Sequence, residues 1–378
     1  MRHPSLVSRV PAWQPTIRVL VPTEIQRSAM STLLGISSAV ISGACDGSYG
    51  AVMKVTKKWE WENIWMMFSI TALGLFPLLL ALWAVPDLLG VYREVASPVL
   101  WQTFFYGFGW GVGSVFFGLG LYMLGQSFAY TIMMGIIAVG GALIPMLVTN
   151  PASALTSGGI IILVSMVVTI AGVALCGHAG KLRDDGLDEN SDDASSPGTR
   201  RYSSFKTAFL ICVGGGIFSC MFNLAFHFAG PIAEAAALQI GESSSSFRAN
   251  SPIWALALLG GFLPNFFYCF YLLVRRGTWK QFQQPRTLHY WLWGIFMGAI
   301  FAAGVTLYGV GASNLGKLGT TVAWLVFIAA GILIANFWGV ITGEWKGAPK
   351  RAERHMVWGS AILFAAILLV NYGNYLLP

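Results

Sequence analysis

Long apolar runs constrain the fold of this chain more than any other feature. Ten runs reach the length of a membrane-spanning helix, at 33–52, 63–84, 100–124, 128–149, 157–178, 205–228, 252–274, 290–311, 318–341 and 355–377. The hydrocarbon core of a bilayer is about 30 Å thick, so a helix of about 20 apolar residues crosses it. With 56% hydrophobic and 10% charged residues, the 378-residue chain carries more apolar side chain than a soluble core can bury. The sequence predicts an all-α polytopic membrane protein of about ten transmembrane helices, surrounded by the lipid bilayer.

Lysine and arginine fall mainly in alternate connections between these spans. The connections after spans 1, 5, 7 and 9 hold sixteen of them: Lys54, Lys57, Lys58, Lys181, Arg183, Arg200, Arg201, Lys206, Arg275, Arg276, Lys280, Arg286, Lys346, Lys350, Arg351 and Arg354. The connections after spans 2, 4, 6 and 8 hold three, which are Arg93, Arg248 and Lys317. The positive-inside rule therefore places the first set in the cytoplasm and both ends of the membrane domain outside. The net charge of +7 belongs to the cytoplasmic face, and no nucleic-acid partner is expected.

The connection after span 1 combines charge with tryptophan, in the stretch KVTKKWEWENIW at 54–65. Lysines at this position favour the anionic headgroups of the inner leaflet, and tryptophans favour the depth of the membrane interface. The stretch is therefore interpreted first as an anchor for the hairpin between spans 1 and 2. The alternative is that Glu60 or Glu62 belongs to a cytoplasmic gate.

One long polar stretch, residues 181–204, divides the membrane domain into two halves of five spans, 30–180 and 205–378. Its acidic, Ser- and Gly-rich composition is typical of a disordered linker. Residues 1–29 are rich in arginine and proline, contain no apolar run of signal-peptide length, and are expected to form a disordered extension. Because five is odd, a second half built like the first must insert upside down, as in inverted-repeat transporters. The weak similarity of LGLYMLGQ to VGASNLGK, and of ISGAC to GIFSC, agrees with that arrangement.

An aspartate run in the linker raises an enzymatic alternative. Asp184, Asp185 and Asp188 spell D-D-x-x-D, the pattern with which prenyl-transferring enzymes hold magnesium diphosphate. That motif works on a rigid helix facing a pocket, so a solvated acidic run is the preferred interpretation here. The sequence has no H-E-x-x-H, G-x-S-x-G or Walker-type motif, and its five cysteines show no C-x-x-C spacing. Neither a cofactor nor a metal site is expected.

Five stretches, in order along the chain, carry a family resemblance. They are KVTKKWEWENIW after span 1, WGVGSVFFGLG in span 3, AGKLRD at the end of the first half, GIFSCMFNLAFHFAGPIAEAAA through span 6, and GVITGEWKGAPKR after span 9. Across residues 31–378 the chain resembles the bacterial L-rhamnose/proton symporter family, a branch of the drug/metabolite transporter superfamily. The resemblance implies ten helices in two inverted halves in the bacterial inner membrane. It also implies inward movement of a deoxy-sugar together with a proton.

Two ionisable side chains lie clearly within predicted spans and are the candidates for the coupled proton. Asp46 in span 1 can serve if burial favours its protonated form, and His227 in span 6 can serve with little change because a free imidazole titrates near pH 6.5. The alternative for each is a polar residue at a span end that reaches water or a headgroup. In the inverted arrangement spans 1 and 6 are counterparts, so Asp46 is expected toward the cytoplasm and His227 toward the outside.

A neutral sugar binds through amide and hydroxyl groups and stacks on flat rings. Candidate substrate contacts of these types within the spans are Asn223, Asn265, Asn336, Tyr122, Tyr308, Trp110 and Trp324. Asn223 is favoured because it lies one helical turn before His227 and faces the same way. Aromatic residues in spans are more often core or lipid-facing than ligand contacts, and that is the alternative for each of these. Glu234, in the polar segment after span 6, either belongs to a short outer helix that covers the cavity or is a solvated carboxylate.

The sequence therefore predicts a secondary active transporter and not an enzyme. Proton-coupled symport of L-rhamnose or a related monosaccharide is the leading hypothesis, with the small sugar and the proton as partners. The alternative within the superfamily is a metabolite or drug exporter driven by proton antiport.

Overall fold

The computed structural model describes residues 24–124, 126–188 and 205–377, and within these ranges the chain forms helices and no β-strand. The helices, in chain order, are α1 (Glu24–Tyr49), α2 (Trp61–Phe68), α3 (Phe76–Ala84), α4 (Leu88–Glu94), α5 (Ser97–Leu124), α6 (Gln126–Thr149), α7 (Ser157–Asp188), α8 (Phe205–His227), α9 (Gly230–Ile240), α10 (Phe247–Arg276), α11 (Leu288–Asn314), α12 (Gly319–Ile341) and α13 (Lys350–Tyr375). A π-helical segment, Ser69–Leu75, joins α2 to α3 without a break, so the two form one continuous span.

Nine helical segments of the described chain are long and apolar enough to cross a membrane. They correspond to nine of the ten runs expected from the sequence. The remaining helix, α5, has 28 residues but is not among the nine. Its six glycines and its Trp and Tyr residues lower its mean hydropathy while leaving it helical.

Two boundaries differ from those expected from the sequence. Helix α1 begins at Glu24, so residues 24–29 of the expected N-terminal extension are helical. Helix α7 continues to Asp188, so the first eight residues assigned to the polar linker, 181–188, are helical as well. Residues 1–23 and 189–204, where the rest of those two predictions fall, lie outside the described residues.

The helices pack in pairs that relate the first half of the chain to the second. Helix α1 packs against α11 and α12, and α8 packs against α5 and α6. The α2–α3 span contacts α11, and α10 contacts α5. Helices α7 and α13 pack along each other at the side of the bundle. The first two spans of each half therefore pack against the third and fourth spans of the other half.

Glycines allow the closest of these crossings, as is usual for helices that pack in lipid. A Cβ atom added to Gly47 of α1 would lie 2.3 Å from the carbonyl oxygen of Gly331 in α12. One added to Gly107 of α5 would lie 1.8 Å from the carbonyl oxygen of Ala257 in α10. Both distances are too short for a side chain, so the backbones touch at these points. The crossing at Gly47 forms part of the wall of the site described next.

Candidate functional site

A cavity of about 490 Å³ lies at the centre of the helix bundle. Nine helices contribute to its wall, including α1 and α5 from the first half of the chain and α8, α10, α11 and α12 from the second. It extends to Ala51 after α1, Arg183 near the end of α7, and Glu344 and Trp345 after α12. These residues lie in or beside the basic connections, so the cavity opens at the basic end of the bundle.

Seven aromatic rings that line the cavity touch one another in sequence and form an aromatic belt, made of Tyr49, Phe68, Phe301, Trp110, Phe222, Trp324 and Phe327. The successive ring centroids are 5.2, 5.2, 6.1, 4.9, 6.1 and 5.4 Å apart. These are ordinary distances for aromatic pairs. The belt begins on α1 at Tyr49, includes rings of α2, α11, α5 and α8, and ends on α12 at Phe327.

Asp46 lies at the crossing of α1 and α12, the two helices that carry the ends of the aromatic belt. It precedes Tyr49 by three residues on α1, and a Cβ atom added at Gly331 of α12 would lie 3.4 Å from its Oδ2. Its carboxyl group lines the cavity, and no described residue forms an ion pair or side-chain hydrogen bond with it. The close crossing of α1 and α12 holds this carboxyl group against an apolar wall.

A second polar group lies on the wall formed by α2, α5 and α10. The Oδ1 atom of Asn265 accepts hydrogen bonds from Ser114 Oγ at 2.7 Å and from Trp65 Nε1 at 3.0 Å. The amide nitrogen of Asn265 donates to the carbonyl oxygen of Gly261 at 2.9 Å. All three side chains line the cavity. The network fixes the orientation of the Trp65 indole and the Ser114 hydroxyl beside the space that a ligand would fill.

Five of the residues predicted from the sequence line this cavity: Asp46, Trp110, Asn265, Trp324 and Asn336. Trp324 donates its indole N–H to the carbonyl oxygen of Ile137 at 2.8 Å, so it presents its ring rather than its polar group. Asn336 donates to Ser360 Oγ at 3.3 Å and lies near the charged end of the cavity. The structure thus places in one cavity five side chains that lie on four different helices and were predicted individually.

Asn223, Tyr308 and His227 do not line the cavity, although each was predicted to contact substrate or proton. Asn223 is fully buried, donates to the carbonyl oxygens of Gly141 at 2.7 Å and Thr320 at 3.2 Å, and accepts a hydrogen bond from the Tyr308 hydroxyl. These bonds use its hydrogen-bonding capacity, so Asn223 joins α8 to α6, α11 and α12.

His227 lies beyond Asn223, at the end opposite the basic connections. Its Nδ1 lies 2.9 Å from Thr320 Oγ1 and its Nε2 lies 3.0 Å from Thr149 Oγ1. A threonine hydroxyl can donate or accept, so both contacts suit a neutral or a charged imidazole. The ring therefore connects the ends of α6, α8 and α12 where the cavity is closed.

The residues predicted for gates lie away from the cavity. Glu62 is fully buried, pairs with Arg276 at 3.3 Å and accepts from Thr278 Oγ1 at 2.9 Å. The side chain of Glu60 is exposed, and its backbone N–H donates to Gln281 Oε1 at 2.6 Å. The 54–65 stretch therefore joins the connection after α10. Glu234 is exposed on α9, a short helix at the opposite end. The side chain of Tyr122 lies outside the described residues.

Sequence reasoning missed several residues that line the cavity, above all Trp65 and Ser114. Trp65 lies in the stretch interpreted as an interfacial anchor, and its neighbour Trp59 is buried among Phe282, Tyr290 and Trp291 rather than exposed to lipid. The available signal for Trp65 was its spacing, since it falls one turn after Trp61 within an apolar helix. No sequence signal distinguishes Ser114 from other serines within spans.

Comparison with known proteins assigns the chain to a family. The sequence profile described as "L-rhamnose-proton symport protein (RhaT)" matches residues 28–375. The chain belongs to the L-rhamnose–proton symport family. A relative named L-rhamnose-proton symporter from Pectobacterium atrosepticum is 26% identical over 352 residues, which are 90% of this chain and 98% of the relative. One of the same name from Klebsiella pneumoniae strain 342 is 24% identical over 347 residues, with 90% and 97% covered.

Family membership makes the protein a multi-pass membrane transporter and not an enzyme. The aspartate run fits this conclusion in structural terms. Asp184 pairs with Arg183 of the same helix at 2.7 Å, and Asp185 is exposed on the surface of α7. The side chain of Asp188 lies outside the described residues. Neither Asp184 nor Asp185 lines the central cavity.

Proposed function

We propose that this protein is a proton-coupled symporter of L-rhamnose or a closely related monosaccharide in the bacterial inner membrane. The observation that carries the proposal is the central cavity, because it combines helices of both halves with polar and aromatic side chains in one enclosed space. Its volume of about 490 Å³ lies in the range of small-molecule sites. Family membership and two relatives named for this activity support the choice of substrate.

The proposed sugar site uses the two chemically different walls of the cavity. The Ser114 hydroxyl oxygen, oriented by Asn265, would accept a hydrogen bond from a sugar hydroxyl, and Trp65, whose N–H is donated to the same amide, would present its ring to the sugar. The aromatic belt would stack on the apolar face and methyl group of a deoxy-sugar, as aromatic rings do in other sites. Asn336 would contact the end of the sugar that faces the basic opening. The neutral donors and acceptors of this wall match the hydroxyl groups of a neutral sugar.

We infer that Asp46 carries the coupling proton. A carboxylate within a membrane protein is costly without a partner cation, so such groups commonly take part in proton or ion movement. Asp46 faces the same cavity as the proposed sugar site, and no described cation pairs with it. Protonation removes the charge and makes the loaded cavity neutral, which favours movement of sugar and proton together. His227 is a less suitable carrier because it lies outside the cavity.

The packing pattern supports ten transmembrane helices in two inverted repeats, with α5 as the tenth span. If α1 and α8 are counterparts, α1 against α11 and α12 corresponds to α8 against α5 and α6, and both sets of pairs occur. The pair α7 and α13 would map onto itself. Odd-numbered repeats with this relation are typical of transporters whose substrate site lies where the repeats meet. The same architecture supports membership of the drug/metabolite transporter superfamily.

Orientation follows from the basic connections, and it gives the cavity a direction. With the basic end in the cytoplasm, the cavity would be open inward and both ends of the membrane domain would lie outside. The contacts of Asn223, Tyr308 and His227 would then form the closed outer gate. Alternating access would require these contacts to separate while the α1–α12 side closes over Asp46.

Uptake of labelled L-rhamnose into proteoliposomes tests the function directly. An imposed pH gradient, acid outside, should drive accumulation above the equilibrium level, and a protonophore should abolish it. A panel of monosaccharides would rank the substrate. The alternative, an exporter using proton antiport, predicts accumulation only when the gradient is reversed. Gradient-independent equilibration, or no transport of any sugar, would contradict the proposal.

A further inference from the structure

The aromatic belt and the unpaired carboxylate of Asp46 together resemble a site for a charged ligand more than a site for a sugar alone. We propose that the cavity also binds a small quaternary ammonium compound, with its cationic group held between Asp46 and the rings of the aromatic belt. This activity goes beyond sugar transport and needs only the cavity itself.

The aromatic belt provides a wall that attracts a cation. Aromatic rings present negative charge on their faces, and rings arranged around a space attract a cation, most strongly where water is excluded. Seven rings line this cavity and contact each other from Tyr49 to Phe327. A sugar needs one or two stacking rings. A continuous belt of seven therefore exceeds what a monosaccharide would use.

Asp46 provides a negative charge in the same cavity. It lies at the crossing of α1 and α12, the helices that carry the two ends of the belt, and it lines the same cavity. A carboxylate in the same cavity as these rings supplies the anion that an ammonium group requires. Charge compensation inside a membrane protein also removes the cost of leaving this carboxylate without a partner.

The other charged residues of the cavity leave this role to Asp46. Arg183 and Glu344 line the opening and pair with each other at 3.3 Å. Arg183 also pairs with Asp184 at 2.7 Å and lies over the Trp345 ring at 5.2 Å from its centroid. Its guanidinium is therefore engaged at the opening and does not neutralise the interior. The charged residues that line the cavity comprise these two and Asp46, and their sum is negative.

The size of the cavity and the polar wall formed by α2, α5 and α10 indicate the class of ligand. Trimethylammonium groups fit aromatic enclosures because their charge is spread over methyl groups that contact the rings. A hydroxyl group on the same small molecule would donate to the oxygen of the Ser114 hydroxyl, which Asn265 holds in place. Choline has both features and is smaller than a monosaccharide, so it is the probe of choice.

Equilibrium binding of labelled choline to the purified protein in detergent tests the proposal. Saturable binding is expected, and unlabelled choline should compete at least about tenfold more strongly than 3,3-dimethylbutanol, a neutral molecule of the same shape. This comparison requires no mutation, so it is decisive even where a variant fails to fold. Equal competition by the two compounds, or no saturable binding up to about 10 mM choline, would overturn the proposal.

Variants locate the site. Asp46→Asn should weaken choline binding by about tenfold or more, since it removes the charge and keeps the shape. Asp185→Asn is the matched control, because it removes an exposed carboxylate on α7 outside the cavity and should leave choline binding unchanged. Unchanged choline binding to a folded Asp46→Asn protein would overturn the assignment. Binding of labelled L-rhamnose, measured separately, tests the proposed transport function, so either idea can fail without the other.

Discussion

Trp65 of α2 donates its indole hydrogen to Oδ1 of Asn265 of α10 over 3.0 Å, and both side chains line the cavity. The same oxygen accepts from Ser114 at 2.7 Å, so one amide orients groups from two other helices. This arrangement makes Asn265 a positioning residue for the proposed sugar site. The hydrogen bond also ties the 54–65 stretch to the interior of the bundle.

Asn265→Leu should therefore raise KM for L-rhamnose by about tenfold with a smaller effect on the maximal rate, because Trp65 and Ser114 lose their common acceptor. Initial uptake rates over a range of sugar concentrations would measure this. Asn371→Leu on α13 is the matched control, since that asparagine lies outside the cavity and should leave KM unchanged. Equal KM values for the two variants would remove Asn265 from the site.

Asp46→Asn should separate sugar movement from proton movement. The amide has nearly the same shape as the carboxyl group but cannot release a proton, so the variant should lose accumulation against a gradient. Exchange of labelled for unlabelled L-rhamnose across the membrane should continue. Full accumulation by Asp46→Asn would show that another group carries the proton, and His227 would then be the next residue to replace.

Much of the fold could be predicted because a bilayer imposes a simple rule on sequence. Runs of about 20 apolar residues are visible without knowledge of their neighbours, and nine segments confirmed this expectation. Helix α5 escapes the hydropathy measure because glycine and aromatic residues replace aliphatic ones along it. The end of α7 was missed because helical propensity there is carried by charged residues that also favour linkers.

The site was only partly predictable, since sequence shows which side chains can form hydrogen bonds but not which already have partners. Asn265 and Asn223 look equivalent in the sequence. In the structure, Asn265 accepts a hydrogen bond from Trp65, whose side chain lines the cavity. Asn223 instead hydrogen-bonds to two backbone carbonyl oxygens and to Tyr308. Asp46 could be singled out from the sequence because ionisable groups are rare in spans. That it lines the cavity depends on the α1–α12 crossing, which sequence does not reveal.

Asn223→Leu should destabilise the protein, since Asn223 serves as a tie between helices. The substitution removes the hydrogen bonds from Asn223 to the carbonyl oxygens of Gly141 and Thr320, and it leaves the Tyr308 hydroxyl with only its 3.4 Å contact to the Thr320 carbonyl oxygen, at about 1–3 kcal/mol for each buried group left unsatisfied. The thermal unfolding midpoint in detergent should fall by several degrees, and by more than for Asn371→Leu. An unchanged midpoint with weakened sugar binding would restore Asn223 as a substrate contact.

The orientation proposed from the basic connections predicts on which side of the membrane the C-terminus lies. A reporter that is active only outside the cytoplasm should be active when fused after Pro378. Fused after Gly347, within the basic connection between α12 and α13, the same reporter should be inactive. A reporter active only in the cytoplasm should give the opposite pattern. Activity of the first reporter at Gly347 would reverse the assignment of sides and would turn the open cavity outward.

The close crossing of α5 and α10 gives a last prediction that uses one substitution at two positions of the same helix. Gly107→Ala places a Cβ atom 1.8 Å from the carbonyl oxygen of Ala257, so the two backbones must separate, at a cost of about 1–3 kcal/mol. Gly118→Ala meets nothing within 4 Å. The gain in helix propensity is common to both variants at roughly 0.5–1 kcal/mol, so their difference reports the crossing alone. Gly107→Ala should lower the unfolding midpoint and slow L-rhamnose uptake, because α5 carries Trp110 and Ser114 into the cavity. Gly118→Ala should raise the unfolding midpoint slightly and leave uptake unchanged, and equal behaviour of the two variants would mean that α5 and α10 do not meet at Gly107.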